Sequence, residues 1–533
     1  MLTTQEPHLQ PDISRRAHWL NHLERHASAL PDRAALRFGE VTVTWSRLRD
    51  RVHALADALA RRGVRYGDRV ALVMGNRPEF IEVLLAANVL GAIAVPLNFR
   101  LTGPEAAYIL DDAGVRLIIV DEIGAPVIAA ARSELICDLR TVTTAAGDPS
   151  HELYDDLLAE HGPRHEPVDV PEASPALIMY TSGTTGRPKG VVLTHLNLQA
   201  QALTIVRAFC LGGEEEVNLV ASPLFHIGAL GSVIPTILVG GTVVVMPTGS
   251  FDAAELLILL EREGVTTLFL VPTQWQIVCD DPSIGERDLS RLRVTSWGAA
   301  PATATLLRTM AVAFPDAVNI ALFGQTEMTG VTCVLAGEDA VRKLGSVGKP
   351  VQSVSVRVVD GDMNDVGPGE AGEIVYRGPG LMLGYWNKPD ATRDSFGGGW
   401  FHSGDIVRVD GEGYYYVVDR AKDMIISGGE NIYCAEVENA LAEHPNIAEV
   451  SLIGRAHRVW GETPVAFVVL RDPKNELDID SLRSWASSSI ARYKLPTQLE
   501  LVAALPKNAS GKVLKGVLRE GSAMPYPPRR LQV

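Results

Sequence analysis

Met179-Tyr180-Thr181-Ser182-Gly183-Thr184-Thr185-Gly186-Arg187-Pro188-Lys189-Gly190 is the stretch from which the rest of the chain can be read. The apolar run Ala176-Leu177-Ile178-Met179 enters it and Val191-Val192-Leu193 leaves it, so two strands hold a loop between them. Glycines at 183, 186 and 190 let the backbone close tightly and turn its N–H groups into an anion nest. The hydroxyls of Thr181, Ser182, Thr184 and Thr185 add donors, and Lys189 adds a mobile positive charge suited to a polyphosphate. The spacing Gly183-x-x-Gly186-x-x-Lys189-Gly190 is not that of a P-loop, because no Ser or Thr follows the lysine and no helix signature comes next. The plain alternative is a solvated Gly/Ser/Thr linker. The lysine, the stiffening Pro188 and the flanking strands argue against it.

A chain of 533 residues is long for one core, so two or more domains are expected. Apolar residues make up 46% and charged residues 21%, a balance that suits a soluble globular enzyme. The formal net charge of −15 argues against nucleic acid as a partner, which requires a basic face. Cys137, Cys210, Cys279, Cys333 and Cys434 are scattered with no C-x-x-C pair, so reduced thiols in a cytoplasmic protein are expected rather than zinc or disulfides. Residues 1–11 carry no apolar core and do not form a secretory signal. Residues 217–251 contain no Asp, Glu, Lys or Arg, long enough to span a bilayer, but Pro223, Pro235, Pro247 and several glycines interrupt them. A buried strand (217–221), helix (227–238) and strand (242–246) fit better.

Helices are expected over 19–30, 50–62 and 79–90, with a further one ending at 108–112. Strands are expected over 70–74, 92–97 and 116–120, and the same rhythm returns over 251–322. This alternation predicts α/β architecture with doubly wound parallel sheets. After about residue 345 short alternating strands (354–359, 372–376, 413–418) form a small β-rich subdomain. Beyond the charged break 419–423 lies a compact α+β stretch, with helices at 435–443 and 479–490 and strands at 448–453, 465–470 and 499–502. The expected division is a large N-terminal domain over 1–419, a boundary at 420–422, which the resemblance described below makes the hinge, and a small C-terminal domain over 423–533, which the same resemblance makes mobile.

Several further segments carry chemistry. Phe323-Gly324-Gln325-Thr326-Glu327 follows a strand, where open α/β sheets place their ligands. Phe323 offers a face to a purine, Thr326 a hydroxyl to phosphate, and Glu327 a hard oxygen for Mg²⁺. A helix cap is the alternative. In Trp297-Gly298-Ala299-Ala300-Pro301 the small residues permit close approach of a flat ligand, or simply a strand-to-helix turn. Asp405, in Trp400-Phe401-His402-Ser403-Gly404-Asp405, could take both hydroxyls of a ribose or merely close a β-turn. His226 is the lone ionisable group of the charge-free stretch, a core histidine or a pocket residue. With no charge on that wall, an ammonium-bearing acid is disfavoured and an apolar one favoured. Ser427-Gly428-Gly429 and the Ser510-Gly511-Lys512 turn look unremarkable in isolation.

Taken together, and in this chain order from Tyr180 to Lys512, these segments resemble the adenylate-forming superfamily of acyl-CoA synthetases, luciferases and peptide-synthetase adenylation domains. The finer likeness is to bacterial fatty-acid–CoA ligases of actinobacterial type. The resemblance implies ATP, Mg²⁺ and coenzyme A as cofactors, with 181–185 and Lys189 on the phosphates. It implies Gly298-Ala299-Ala300-Pro301 and Phe323-Gly324-Gln325-Thr326 beside AMP, where most members carry Tyr in place of Phe323, and Asp405 with Arg420 on the ribose. It gives Lys422 as the hinge, Ser427-Gly428-Gly429 as a coenzyme A contact, and Lys512, Thr326, Glu327 and His226 as catalytic. His226, Ile227, Leu230, Gly231, Trp297 and Gly298 would line the acyl pocket. The implied reaction is activation of a fatty acid to acyl-AMP and pyrophosphate, followed by transfer to coenzyme A. An acyl-AMP ligase serving a carrier protein, a CoA ligase for an aromatic acid, a luciferase and a membrane protein are the competing readings. Peripheral membrane contact through Arg455, Arg458, Arg492 and Lys494, and a homodimer, are compatible with the sequence.

Overall fold

The computed structural model describes residues 18–136, 139–145, 151–160, 162, 165, 168–181, 187–300, 302–420, 423–427, 430–472, 474–475, 477–487, 490–507 and 513–521. The chain resolves into two compact units, Met1–Val356 with Tyr376–Phe401, and Arg357–Val375 with His402–Val533.

The first unit is built on two sheets. One runs Val41–Thr44, Ala34–Phe38, Thr242–Val245, Val217–Val220, Thr267–Leu270, Val294–Gly298, Val318–Gln325, Gly330–Ala336, Ser346–Pro350. It is parallel from Ala34–Phe38 to Val318–Gln325 and antiparallel at both ends of that run. The other runs Gly384–Tyr385, Lys189–Thr194, Pro175–Thr181, Ile93–Pro96, Arg69–Val73, Val115–Val120, Arg140–Thr143, Glu152–Leu153, parallel from Pro175–Thr181 onward. The expected α/β rhythm is thus present, and the apolar runs are buried because parallel strands are covered on both faces. Leu72, Val95, Ile118 and Ile178 are fully or almost fully inaccessible.

Helix starts follow local capping. Thr194 accepts from the Asn197 N–H while the Asn197 side chain accepts from Thr194 N–H, opening the His195–Ala208 helix. The helix expected over 50–62 begins earlier, as Trp45–Arg61, capped by Thr44. The charge-free stretch folds as Val217–Val220, Ile227–Val239 and Thr242–Val245, as its interruptions imply. Among the described residues no helix is long and apolar enough to cross a membrane.

In the second unit Trp400–Val409 pairs antiparallel with Tyr415–Arg420 over residues 405–409. A separate sheet joins Ile425–Ser427, Gly461–Leu470, Ile447–His457 and Gln498–Leu501, with Cys434–Ala442 and Ile479–Ala486 against it. The second helix ends at Ala486, four residues short of the expectation. Lys422 lies outside the described residues. Just after it, the Asp423 N–H donates to the Arg420 carbonyl at 2.9 Å.

Candidate active site

The organising hairpin is formed as expected: Pro175–Thr181 pairs antiparallel with Lys189–Thr194, placing Tyr180 opposite Gly190 and Thr181 opposite Lys189. Ser182, Gly183, Thr184 and Thr185 lie outside the described residues, but both ends of their loop are anchored. The Tyr180 hydroxyl donates to Asp112 Oδ2 at 2.8 Å, and Lys388 pairs with the other oxygen of that carboxylate. On the far side the Tyr108 hydroxyl donates to the Pro188 carbonyl at 3.3 Å, with Arg187 5.2 Å from the Tyr108 ring. Gly190 has no room for a side chain: a Cβ there would stand 2.7 Å from Ile178 Cγ2 and 3.0 Å from the Tyr180 ring.

The second element is the end of Val318–Gln325. The strand leading into this segment runs Val294–Gly298, through Trp297 and Gly298, so that Gly298 pairs with Leu322. A Cβ on Gly298 would meet the Leu322 carbonyl at 2.5 Å, which is why glycine stands there. Trp297 is buried and its indole N–H donates to Asn319 at 2.8 Å. Ala299 takes a left-handed φ of +65° and Pro301 lies outside the described residues. Likewise the strand carrying Phe323 extends through Gly324 and Gln325. Thr326–Met328 then form one 3-10 turn rather than the start of a helix.

That turn holds Glu327 in a fixed frame. The Tyr385 hydroxyl donates to Glu327 Oε1 at 3.0 Å, and the Met382 N–H donates to the Glu327 carbonyl at 2.8 Å. Gly384–Tyr385 in turn pairs with Lys189–Thr194, and Trp386 N–H donates to the Gly190 carbonyl at 2.7 Å. Lys189 Nζ sits 5.0 Å from the centre of the Tyr385 ring, within cation–π range. Tyr385 therefore ties the loop's lysine to the acid at the neighbouring strand end. Burial and the adjacent Glu327 charge raise its phenol above the ordinary range, so it remains a donor. Oε1 of Glu327 is occupied by Tyr385 while the carboxylate is only half-buried, a donor set that fits Mg²⁺ carried in on phosphate oxygens.

The third element is the Ile227–Val239 helix, whose N-cap is His226. The His226 ring packs 4.5 Å from Phe225, which meets Phe99 edge-on at 5.2 Å. Burial, then the charge of Arg100, lower its pKa to about 4, and its Nε2 is buried without a hydrogen-bond partner. The imidazole is thus neutral at pH 7, with a ring nitrogen available to a ligand. His195, buried at a separate place beside His18, is lowered to about 3. Both are depressed below the unfolded value of about 6.5, so the unfolded chain binds protons that the folded one refuses. Stability from these two groups is complete above about pH 6.5 and falls as pH drops toward 4. NMR titration of the histidine rings should place both midpoints below 5; a His226 midpoint near 6.5 would contradict this environment.

In the second unit Asp405 is 1% exposed and pairs with Arg420 at 2.5 Å. Gly404, at φ +71°, lies within the Trp400–Val409 strand rather than in a turn, and its N–H donates to Glu373 Oε1 at 2.8 Å. The two residues assigned to the ribose are therefore brought together. Ser427 pairs with Gly461 at a strand end. Gly428, Gly429 and Lys512 lie outside the described residues.

Asp112 and Tyr385 were missed by sequence reasoning. Each acts on residues far away in the chain, and no local spacing marks it.

Comparison with known proteins gives a consistent result. The AMP-binding enzyme family matches residues 23–386 and the AMP-binding enzyme C-terminal domain family matches residues 436–512. The chain is similar to the feruloyl-CoA synthase of an Amycolatopsis species, 41% identical over 93% of this chain and 97% of that one. It is 37% identical to the long-chain-fatty-acid–CoA ligase FadD13 of Mycobacterium tuberculosis, over 92% and 95% respectively. Among solved structures it resembles the o-succinylbenzoate CoA synthetase of Bacillus subtilis in complex with its acyl-adenylate, with a TM-score of 0.83, 33% identity, and coverage of 94% of this chain and 98% of that one.

Proposed function

This chain belongs to the AMP-binding enzyme family, among the acyl-CoA synthetases of the adenylate-forming superfamily, and on that premise we propose that the acid it activates is compact and apolar, aromatic rather than long-chain. It is an AMP-forming acid–CoA ligase that uses ATP, Mg²⁺ and coenzyme A. The fatty acid favoured by sequence reasoning is a second reading, supported by the likeness to a long-chain ligase. The aromatic reading is supported by the names of two of the similar proteins, feruloyl and o-succinylbenzoate. A cytoplasmic setting is part of the same proposal.

The observation that carries the catalytic reading is Glu327 clamped by Tyr385 with Lys189 over the same ring. The acid's carboxylate oxygen attacks the α-phosphorus of ATP. An acyl O–P bond forms, the bond to the β-phosphate oxygen breaks, and pyrophosphate leaves. Negative charge builds on phosphoryl oxygens, so preorganised cations lower the barrier. Lys189 and the hairpin N–H groups hold the phosphates, and Lys512 supplies the cation at the reacting phosphorus. Glu327 would hold Mg²⁺ together with the phosphates, and the bound ion would supply positive charge to the departing pyrophosphate. The coenzyme A sulfur, having lost its proton, then attacks the carbonyl carbon, forming C–S and breaking C–O to release AMP. The 420–422 segment is the hinge about which residues 423–533 turn between the two steps. Neutral His226 borders the carbonyl without attracting the nucleophile's charge.

A panel of phenylpropenoic, benzoic and C6–C16 alkanoic acids tests the substrate, with pyrophosphate and thioester measured with and without coenzyme A. The aromatic reading predicts the highest kcat/KM for an aromatic acid; a clear optimum among the long alkanoic acids contradicts it.

A further inference from the structure

Between the His195–Ala208 and Ile227–Val239 helices lies a small recess of about 10 Å³, room for one water-sized group. That is far below the ~300 Å³ at which whole-ligand pockets begin, so it suits one polar group at the tip of a ligand rather than a ring or chain. Its lining is almost wholly apolar and includes Ile227, Gly231, Ile234 and Pro235, together with Thr329 and Gln201. Ile227 and Gly231 are positions that the resemblance assigns to the acyl pocket, and Gly231 to Pro235 lie roughly 7–13 Å along the helix from His226. Gly231 leaves the space open: a Cβ there would meet nothing within 4 Å.

The two polar side chains of this lining differ. Thr329 is committed, its hydroxyl donating to the Gly380 carbonyl at 2.7 Å. Gln201 is only 6% exposed, yet its Nε2 is buried with no hydrogen-bond partner. A Cβ added to Gly330, which stands at φ +112°, would lie 3.5 Å from that nitrogen and 3.8 Å from Ile227, so the bare glycine keeps the approach to the amide clear. Leaving such a donor unpaired inside the protein costs stability unless a ligand pairs it. A purely hydrocarbon acid would leave it unpaired in the complex as well.

We propose that Gln201 is a specificity-determining residue at the far end of the acyl site, donating a hydrogen bond to an oxygen substituent on an otherwise apolar acid. The preferred substrates are then aromatic or short acids that carry a hydroxyl, methoxy or carbonyl oxygen opposite the carboxylate. This rests on the ligase reading and narrows it.

The test uses pairs of phenylpropenoic acids that differ only in one distal ring oxygen, assayed by pyrophosphate release with the full-length enzyme and Gln201→Leu. Wild type should favour the oxygenated member of the pair. Gln201→Leu, which keeps the bulk and removes the donor, should lower that preference by about tenfold or more, while the KM for ATP stays unchanged. Gln201→Asn, which shortens the donor's reach, should fall between them. Equal kcat/KM for both members of every pair in wild type overturns the proposal whatever the variants do, as does an unaltered preference in Gln201→Leu. Absence of pyrophosphate with every acid contradicts the ligase reading itself, and so is told apart from a failure of Gln201's role alone.

Discussion

Glu327→Gln lowers the rate of pyrophosphate release by about 10²–10³ while leaving the fold intact. The substitution is chosen from the geometry. A glutamine carbonyl oxygen can still accept from the Tyr385 hydroxyl, now 3.0 Å from Oε1, and the backbone bond from Met382 N–H is untouched. What disappears is the negative charge offered to a hard cation. The loss should therefore show chiefly as weaker Mg²⁺ affinity: half-saturation shifts to higher Mg²⁺, and high Mg²⁺ recovers part of the rate. Titrating Mg²⁺ against pyrophosphate release, with the melting temperature as control, checks this. A variant that melts like wild type and keeps wild-type rate and Mg²⁺ dependence would remove Glu327 from the metal site.

Lys512→Ala separates the two half-reactions. Two anions must meet in the first step, and a cation placed at the α-phosphate contributes most as charge moves onto its oxygens. Acyl-AMP formation should fall by about 10²–10³. The second step joins a thiolate to a neutral carbonyl and does not need that cation, so supplied acyl-AMP should be converted to thioester at close to the wild-type rate. Single-turnover assays of each half-reaction check the division. An unimpaired first step would refute the role of Lys512, and equal damage to both would refute the separation.

The sheets were legible in the sequence because their strands are continuous apolar runs separated by helical periodicity, a pattern that burial on both faces imposes directly. The hairpin 175–194 was legible for the same reason, with glycine and hydroxyl content marking its loop. Strand ends were less so: Trp297-Gly298 and Gly324-Gln325 look like turn residues, yet pairing with neighbouring strands extends them. The short hairpin of Ala34–Phe38 and Val41–Thr44 escaped notice because its strands are only five and four residues long, although Val41-Thr42-Val43-Thr44 does alternate. Within the site, residues that contact phosphate or metal could be named from their own chemistry. Those that position them could not, because Asp112 serves Tyr180, 68 residues away, and Tyr385 serves Glu327, 58 residues away. Such partnerships arise from the fold and leave no local trace. The unpaired amide of Gln201 is of the same kind, since only packing reveals that nothing meets it.

The central claim is that the acid's own oxygen bonds to the α-phosphorus. It is tested most directly by supplying a carboxylic acid labelled with ¹⁸O in both carboxyl oxygens, together with ATP, Mg²⁺ and coenzyme A, and reading the products by mass spectrometry. The account predicts one ¹⁸O in each AMP released, one retained in the thioester and none in pyrophosphate. Label appearing in inorganic phosphate with ADP as co-product, or AMP formed without any ¹⁸O, would contradict it.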